Sequence, residues 1–314
     1  MTVPSNELMG TVTAESGIDG RAPLDETQVP GRAKVVWRRF RHQKTALGGL
    51  VLVFLLVLLA FAGIHLTQWK YTDHDFNALQ IGPSLANGRH AHWFGTDLTG
   101  KDLFSATMRG AQKSIVIGLL VALLATGTAA MVGSFAGYFG GWIDRVLMWI
   151  VDLLLIVPAF LIIAILTPKF RSFWLFVLLL GMFIWQITAR IVRGQTLSLR
   201  EREYVLAAKY MGVSGPKIIF RHVLPNLASL LIIDATINVS VAIITETGLS
   251  FFGFGVQPPD ISLGTLIADA QASATVYPWL FLFPAGFLVL FVLAVNLIGN
   301  GLRDALDPSS GKAQ

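Results

Sequence analysis

The chain has 314 residues, of which 54% are hydrophobic and 14% charged, and its mean hydropathy is +0.64. This composition excludes an ordinary soluble globular domain and predicts a protein with several membrane spans. The absence of cysteine excludes disulfides, thiolate nucleophiles and cysteine-ligated metals. The net charge of +5 comes from basic residues beside apolar stretches, which indicates membrane topology and not nucleic-acid binding.

The first 33 residues are rich in Gly, Pro, Thr and acidic residues and show no periodicity, which predicts a disordered cytoplasmic tail. They lack the basic start and early apolar run of a signal peptide. In residues 34–45, apolar Val35, Trp37 and Phe40 stand among arginines. This mixture predicts a short helix on the inner membrane surface.

Six stretches are apolar and long enough to cross a hydrocarbon layer of about 30 Å as helices. They are residues 46–66, 114–137, 146–167, 172–190, 227–250 and 278–302. We therefore predict an all-α polytopic membrane protein whose permease domain covers 46–308, followed by a short tail, 309–314. Gly133 and Gly137 form a G-x-x-x-G pair that permits close helix contact, although ordinary glycine usage in membrane helices explains them equally well.

The distribution of Lys and Arg predicts the orientation. If the N-terminus is inside, the inner segments hold seventeen of the 24 basic residues and the outer segments hold seven. Basic residues concentrate on the cytoplasmic side of membrane proteins. We therefore expect a multi-pass protein of the cytoplasmic membrane, with both termini and the segment 191–226 in the cytoplasm.

The predicted extracytoplasmic segment, 67–113, contains two candidate ligand sites. Gly95, Gly100 and Lys101 match the start of a Walker A phosphate loop, but Asp102 replaces the required Ser or Thr and would repel phosphate. Four histidines, His65, His74, His90 and His92, lie near Asp73 and Asp75. Their spacing matches metal-ligand motifs poorly, so we predict solvated histidines and no metal site.

The longest polar insertion between spans runs from Ser198 to Asn226. Residues 198–211 are predicted to be helical, because Leu199, Arg202, Glu203, Leu206, Ala207 and Tyr210 recur at three and four residues; Gly212 then provides a left-handed helix end. Ser214 is placed to cap a second short helix with Pro216 in its first turn, which Pro225 would end. The sequence thus predicts a helix-turn-helix unit; a solvated loop is the alternative.

This insertion resembles the cytoplasmic coupling loop, or EAA loop, of ABC importer membrane subunits. The resemblance rests on Ala207, Ala208, Gly212, Leu224 and Pro225. The flanking residues 202–205 and 221–226 are similar to the peptide permease branch, and the run GTDLTGKD at 95–102 resembles the GTDxxGRD segment of the same branch. The sequence departs from the general motif at two positions: Leu206 replaces its glutamate and His222 its late isoleucine.

The resemblance implies a type I ABC importer fold and a subunit without catalytic residues, cofactor or metal of its own. It implies a second homologous permease, two cytoplasmic ATPases that hold ATP and Mg²⁺, and an extracytoplasmic binding protein. The implied cargo is a di- or oligopeptide, with a nickel chelate or glutathione as alternatives. The residues expected to couple to the ATPases are Glu203, Ala207, Ala208, Gly212, Lys217, Arg221, His222 and Pro225.

Four polar residues within the predicted spans are candidates for the translocation path: Asp152, Asp234, Asn238 and Glu246. An acid inside a span costs several kcal/mol unless it faces water or a partner. A structural polar contact between helices is the simpler alternative for each of the first three, and we expect Glu246 near the outer end of its span.

Two other classes of function fit the sequence less well. A secondary transporter working without ATPases would need charged relays within the spans and usually an internal repeat, and neither is clear. An intramembrane hydrolase would need a nucleophile and a base, yet no histidine lies deep in a predicted span and no G-x-S-x-G motif occurs.

Overall fold

The computed structural model describes residues 32–84 and 91–306, with side chains from residue 37 onward. The regular structure in these residues is helical, as predicted, and the helices are α1 (Arg32–His42), α2 (Lys44–Ala62), α3 (Leu103–Phe139), α4 (Gly141–Ile156), α5 (Ala159–Phe170), α6 (Phe173–Met182), α7 (Gln186–Arg200), α8 (Glu203–Tyr210), α9 (Gly215–Ile218), α10 (Leu224–Phe251), α11 (Leu263–Ala270) and α12 (Pro278–Leu306). Nearly all of the predicted N-terminal tail and the whole C-terminal tail lie outside the described residues.

Four continuous helical stretches are long and apolar enough to span a membrane: Lys44–His65, Leu103–Phe139, Gly215–Phe251 and Pro278–Leu306. Two more spans result if the bent pairs α4–α5 and α6–α7 each count as one. The described chain therefore carries four to six spans. The third and fourth predicted spans differ from the single straight helices expected from hydropathy, because each is broken.

The break between α4 and α5 is a bend of 76° at Pro158. Val157, which precedes the proline, adopts an extended conformation with ψ of 125°. A residue before proline is pushed out of the helical region by contact with the proline ring. Pro158 therefore predicts a helix break at this position, but a hydropathy profile alone does not show it.

The break between α6 and α7 is a bend of 46° at residues 183–185. No proline lies there. Instead, the side-chain amide of Gln186 donates to the carbonyl oxygen of Met182 at 3.1 Å. A side chain that satisfies a freed carbonyl lets a membrane helix interrupt its own backbone bonds.

The long helix α3 lies at the centre and packs against α2, α6, α7, α10 and α11. Gly133 and Gly137 of α3 face α7 at positions where an added Cβ would lie 2.5 Å from the carbonyl oxygen of Ala189 and 2.7 Å from that of Arg193. The glycine pair therefore serves close helix contact. Any larger residue there would push α7 away.

The segment between α2 and α3 is tied to the start of α3 by Asp102. Its carboxylate caps α3 by accepting a hydrogen bond of 2.8 Å from the Ser105 backbone amide. It also bonds the Nδ1 of His92 at 2.9 Å, and the buried imidazole stacks on Trp69. The Walker-like residue thus has a structural role, and His92 is a packed residue where solvated histidines were predicted. His90 lies outside the described residues.

Helix α1 packs on the last span through one aromatic side chain. Phe40 is buried in a cluster with Ala46 and Ala305. Trp37, on the same short helix, is exposed. This amphipathic arrangement fits a helix that lies against the bundle at the membrane surface.

Candidate functional site

The predicted coupling segment forms two short helices, α8 and α9, joined by a tight turn. The turn has the hydrogen bonds of a helix C-terminus: the amide of Gly212 donates to the Lys209 carbonyl at 3.0 Å, and the amide of Val213 donates to the Ala208 carbonyl at 3.1 Å. Gly212 has a φ of +78°, in the left-handed region that glycine adopts without steric cost. The direction of α9 relative to α8 therefore depends on this glycine.

The start of this unit differs from the prediction of one helix from Ser198. The preceding helix α7 runs to Arg200, and α8 begins at Glu203 after a turn. Ser214 occupies the position before α9, yet its side chain makes no capping hydrogen bond. Gly215, the first residue of α9, packs against the end of α3. A Cβ added there would lie 2.8 Å from the ring of Phe139. Contact with α3, and not a cap, positions α9.

The second short helix does not end at Pro225, as the sequence predicted. A π-helical turn, Ile219–Val223, connects α9 to α10, and Pro225 lies in the first turn of α10. Proline has no backbone N–H to donate, and the wider hydrogen-bond spacing of the preceding π-helical turn tolerates this missing donor. The side chain of Asn226 also donates to the His222 carbonyl at 2.6 Å. The coupling segment therefore continues directly into a membrane span.

A small apolar cluster fixes the segment to the bundle. Val205, Ala208 and Ile218 are buried against Val192 and Leu227. Because these contacts join α8 and α9 to both α7 and α10, the segment is a packed part of the fold and not a loose loop.

Most of the predicted coupling residues lie on the free surface of this unit. The exposed ones are Glu203, Ala207, Gly212, Lys217, Arg221 and Pro225. His222 is half-buried beside Tyr204, with ring centroids 6.3 Å apart. Ala208 is buried, so it supports the segment and is not accessible to a partner.

Sequence reasoning missed two residues at the tip of α8. Tyr210 is 85% exposed and Met211 is 76% exposed, immediately before Gly212. Two large apolar side chains therefore protrude side by side next to the turn. The sequence could have indicated the exposure of Tyr210 and Met211, because they lie at the predicted helix end, away from any expected core contact.

Two ion pairs join α4 to α7. Asp144 accepts two hydrogen bonds from the guanidinium of Arg193, and Asp152 accepts one from Arg190. The second pair is open to its surroundings, with side chains 54% exposed for Asp152 and 52% for Arg190. Asp152, a predicted path residue, thus lies on an accessible face.

Asp234 and Asn238, which were predicted together, belong to a polar network between α3, α7 and α10. The Asp234 carboxylate accepts hydrogen bonds from Thr126 at 2.7 Å, Thr188 at 2.6 Å and Asn238 at 2.8 Å. Neutral donors from three helices surround this carboxylate. Asp234 thereby joins three helices, and part of its surface remains exposed.

Glu246 is completely buried, with 0% of its surface exposed. Its carboxylate accepts hydrogen bonds of 2.6 Å from both Ser250 and Ser262 and one of 3.4 Å from Ser114. These serines belong to α10, the start of α11 and α3. Glu246 therefore joins three elements at the far end of α10, and its carboxylate does not reach the surface of this chain.

Sequence comparison places these features in a known family. The binding-protein-dependent transport system inner membrane component family matches residues 129–312, and the N-terminal TM domain of oligopeptide transport permease C matches residues 31–83. The oligopeptide transport system permease protein OppC of Mycobacterium tuberculosis is 55% identical over 287 residues, which cover 90% of this chain and 97% of the relative.

More distant relatives agree. The OppC protein of Bacillus subtilis is 37% identical over 294 residues, covering 92% of this chain and 94% of the relative. A putative peptide permease of Brucella suis is 39% identical over 276 residues, covering 86% and 89%. With its apolar spans and packed coupling segment, the chain belongs to the inner membrane components of binding-protein-dependent ABC transport systems, in the oligopeptide permease C branch.

Proposed function

We propose that this chain is one of two permease subunits of an ATP-driven importer that moves di- or oligopeptides across the cytoplasmic membrane. The observation that carries the proposal is the exposed surface of α8 and α9, which is rigidly joined to a membrane span. The names of the relatives support peptide cargo. ATP and Mg²⁺ belong to two cytoplasmic ATPases, and an external binding protein delivers the peptide.

The mechanism follows from the rigidity of the segment. An ATPase binds the tip of α8 at Tyr210 and Met211. Its movement shifts α8 and α9 as one body, because Val205, Ala208 and Ile218 pack both helices together. The movement passes into α10 through the continuous stretch Gly215–Phe251. Closure of the ATPases on ATP thereby shifts the bundle between outward and inward openings.

Transport in vesicles that contain the whole complex tests this function. Uptake of a labelled oligopeptide should require internal ATP, both ATPases and the external binding protein. Vesicles whose ATPases carry an inactivated hydrolytic site are the control. Uptake that persists in the control vesicles would mean a secondary transporter and would reject the proposal.

The cargo is tested on the binding protein that works with this chain. Its affinity for an oligopeptide, a nickel chelate and glutathione is measured by calorimetry. Peptide binding at least about a hundredfold tighter than the other two, a difference of about 2.7 kcal/mol, supports peptide import. Preference for either alternative keeps the importer and replaces its substrate.

A further inference from the structure

The stretch that leads into the first span carries an uncompensated positive charge. Six residues in 32–44 are basic, and 27–72 contains no Asp or Glu. The side chains of Arg38, Arg41 and Lys44 are exposed, and within the described part of the chain none of the three pairs with an acid. Basic clusters beside a membrane helix attract anionic lipid headgroups. These cations are therefore available to an anion from outside the chain.

The start of α2 adds peptide N–H groups to this charge. Lys44 is the first residue of α2, and Gln43 before it is extended, with a side chain that does not cap the helix. The first amides of a helix point outward without partners in the helix, and they bind phosphate groups well. Arg41 is three residues from Lys44, so their Cα atoms are at most about 11 Å apart. A phosphate at this position meets two cations and a helix N-terminus.

An open groove of about 500 Å³ runs from Lys44 along one side of α2. Apart from the lysine its lining is apolar and recurs at helical spacing: Leu47, Gly48, Val51, Leu52 and Leu55. Gly48 leaves the groove open, because no atom lies within 4 Å of a Cβ added there. Another side of α2 packs on α12, where a Cβ at Gly49 would lie 2.8 Å from the Ala294 carbonyl oxygen. The groove therefore faces away from the bundle of this chain.

The length of the groove matches one leaflet of a bilayer. Helix α2 has 19 residues and is about 28 Å long at about 1.5 Å per residue, close to a hydrocarbon layer of about 30 Å. Lys44 consequently lies at one boundary of the layer. Leu55 is eleven residues further along α2, at a depth of about 16 Å. This is about half of the layer, the depth that an acyl chain of one leaflet reaches.

We propose that the start of α2 and its groove bind one anionic phospholipid of the predicted inner leaflet. The phosphate lies between Arg41 and Lys44 at the N-terminus of α2, and one acyl chain lies over Gly48. A zwitterionic lipid lacks the net charge that would balance the cations, and inorganic phosphate would leave the groove empty. A helix of another subunit would have to supply its own acids at the membrane boundary. The site goes beyond the importer function and does not depend on its cargo.

Photolabelling tests this site on the full-length chain with its partner subunits, in nanodiscs of phosphatidylcholine. The probe is phosphatidylglycerol with a photoreactive diazirine on its acyl chain, and phosphatidylcholine with the same labelled chain is the reference. Labelled residues are located by mass spectrometry. The measured quantity is the ratio of phosphatidylglycerol to phosphatidylcholine labelling at 47–55. It is divided by the same ratio at Leu58 and Phe61, exposed residues farther along α2.

Two substitutions separate the headgroup from the acyl chain. Lys44→Gln removes the cation at the end of the groove; its control is Lys209→Gln, at an exposed lysine of the coupling segment. Gly48→Leu fills the groove without changing any charge. Its control is Gly127→Leu on α3, an exposed glycine that also has no atom within 4 Å of an added Cβ.

The proposal predicts a normalised ratio of about five or more for the unmodified chain. Lys44→Gln should lower the ratio about three- to fivefold, the effect of a basic residue worth about 1 kcal/mol at the membrane surface. Gly48→Leu should lower it by a similar factor, since the acyl chain is displaced. Both control variants should leave it unchanged. A rise from 0.1 to 1 M salt should also lower it, because the screening length falls from about 10 Å to about 3 Å.

Three results would overturn the proposal. A normalised ratio near one would mean that the groove meets lipid without preference, and absence of labelling by both probes would mean that another subunit covers it. A ratio that Lys44→Gln lowers and Gly48→Leu leaves unchanged would mean diffuse attraction to the basic stretch and no site in the groove. Co-purification of the partner subunits verifies the assembly of each variant, and the unmodified chain decides the first two results without any variant.

Discussion

The hydroxyl of Ser262 donates a hydrogen bond of 2.6 Å to the carboxylate of Glu246, and the same hydroxyl caps α11 by accepting from the Thr265 amide at 3.1 Å. One serine therefore fixes the start of α11 and satisfies a buried acid of α10. We expect Ser262→Ala to lower the free energy of unfolding by about 1–3 kcal/mol, since it removes a cap and leaves the buried carboxylate with one donor fewer.

The measurement is equilibrium unfolding of the purified chain in detergent micelles. Ser273→Ala, at a less buried serine after α11, is the matched control and should change stability by less than about 0.5 kcal/mol. Equal effects of the two substitutions would show that the Glu246–Ser262 bond contributes nothing to stability.

Substitution of Gly212 tests the angle between α8 and α9. No atom lies within 4 Å of an added Cβ, so only the positive φ opposes a side chain. We predict that Gly212→Val costs about 1–2 kcal/mol locally and reduces peptide transport strongly, without loss of membrane insertion. Gly212→Asn should retain most transport, since asparagine tolerates the left-handed region. Normal uptake by the valine variant would contradict the lever mechanism.

The exposed tip supplies a direct test of ATPase docking. Tyr210→Ala and Met211→Ala should each weaken association with the ATPases by about 1–2 kcal/mol, the range for residues near the centre of an interface. Phe76→Ala removes a side chain that is equally exposed on the segment between α2 and α3, and it should have no effect. Binding is measured by co-purification and by titration of the ATPases onto the chain in nanodiscs. Unchanged affinity for both tip variants would place the docking surface elsewhere.

Arg193 donates two hydrogen bonds to Asp144, so we expect lysine at this position to stabilise the fold less than arginine does. Arg193→Lys keeps the charge but not the two parallel hydrogen bonds, so we expect a loss of about 0.5–1.5 kcal/mol. Arg193→Met leaves the carboxylate unpaired and should cost about 1–3 kcal/mol, with Asp144→Asn in the same chain recovering part of the loss. Thermal unfolding is measured for five chains: the unmodified chain, Arg193→Lys, Arg193→Met, Asp144→Asn and the double variant. Additive losses in the double variant would exclude a direct pair.

We expect stability to depend on pH through Asp269, which lies outside the spans. It lines a cavity of about 650 Å³ between α11 and residues within 71–74 and 97–101. Partial burial raises the pKa of Asp269 above its usual value; Lys101 opposes the rise and Asp97 adds to it. Folding therefore favours the protonated carboxyl. Its ionised form lowers stability above the folded-state pKa, and this loss disappears as the pH falls below the unfolded-state pKa.

Asp269→Asn should accordingly raise the melting temperature at pH 7 and lose most of this advantage at about pH 3, below the usual unperturbed aspartate pKa of about 3.9. Glu201→Gln, at an exposed acid of the coupling segment, controls for removal of one carboxylate. A gain that is the same at both pH values would show that the Asp269 charge is not responsible.

The sequence by itself determined the membrane character, the α-helical class and the left-handed helix end at Gly212. These properties depend on local features: apolar length, the conformational freedom of glycine, and a motif shared with a known family. The breaks after Val157 and Met182 were not predicted, because a hydropathy average does not register a change of direction within an apolar stretch.

Only the tertiary structure decided which polar residues face one another. Asp234 and Glu246 are acids of one span and Asp152 is an acid of another. The first two accept hydrogen bonds from hydroxyl groups of neighbouring helices, whereas Asp152 is half-exposed beside Arg190. The physical reason is that a polar group in a membrane helix is stabilised by whichever helix packs beside it. That neighbour is set by close contacts such as those of Gly133 and Gly137, which are distant in sequence from the groups they bring together.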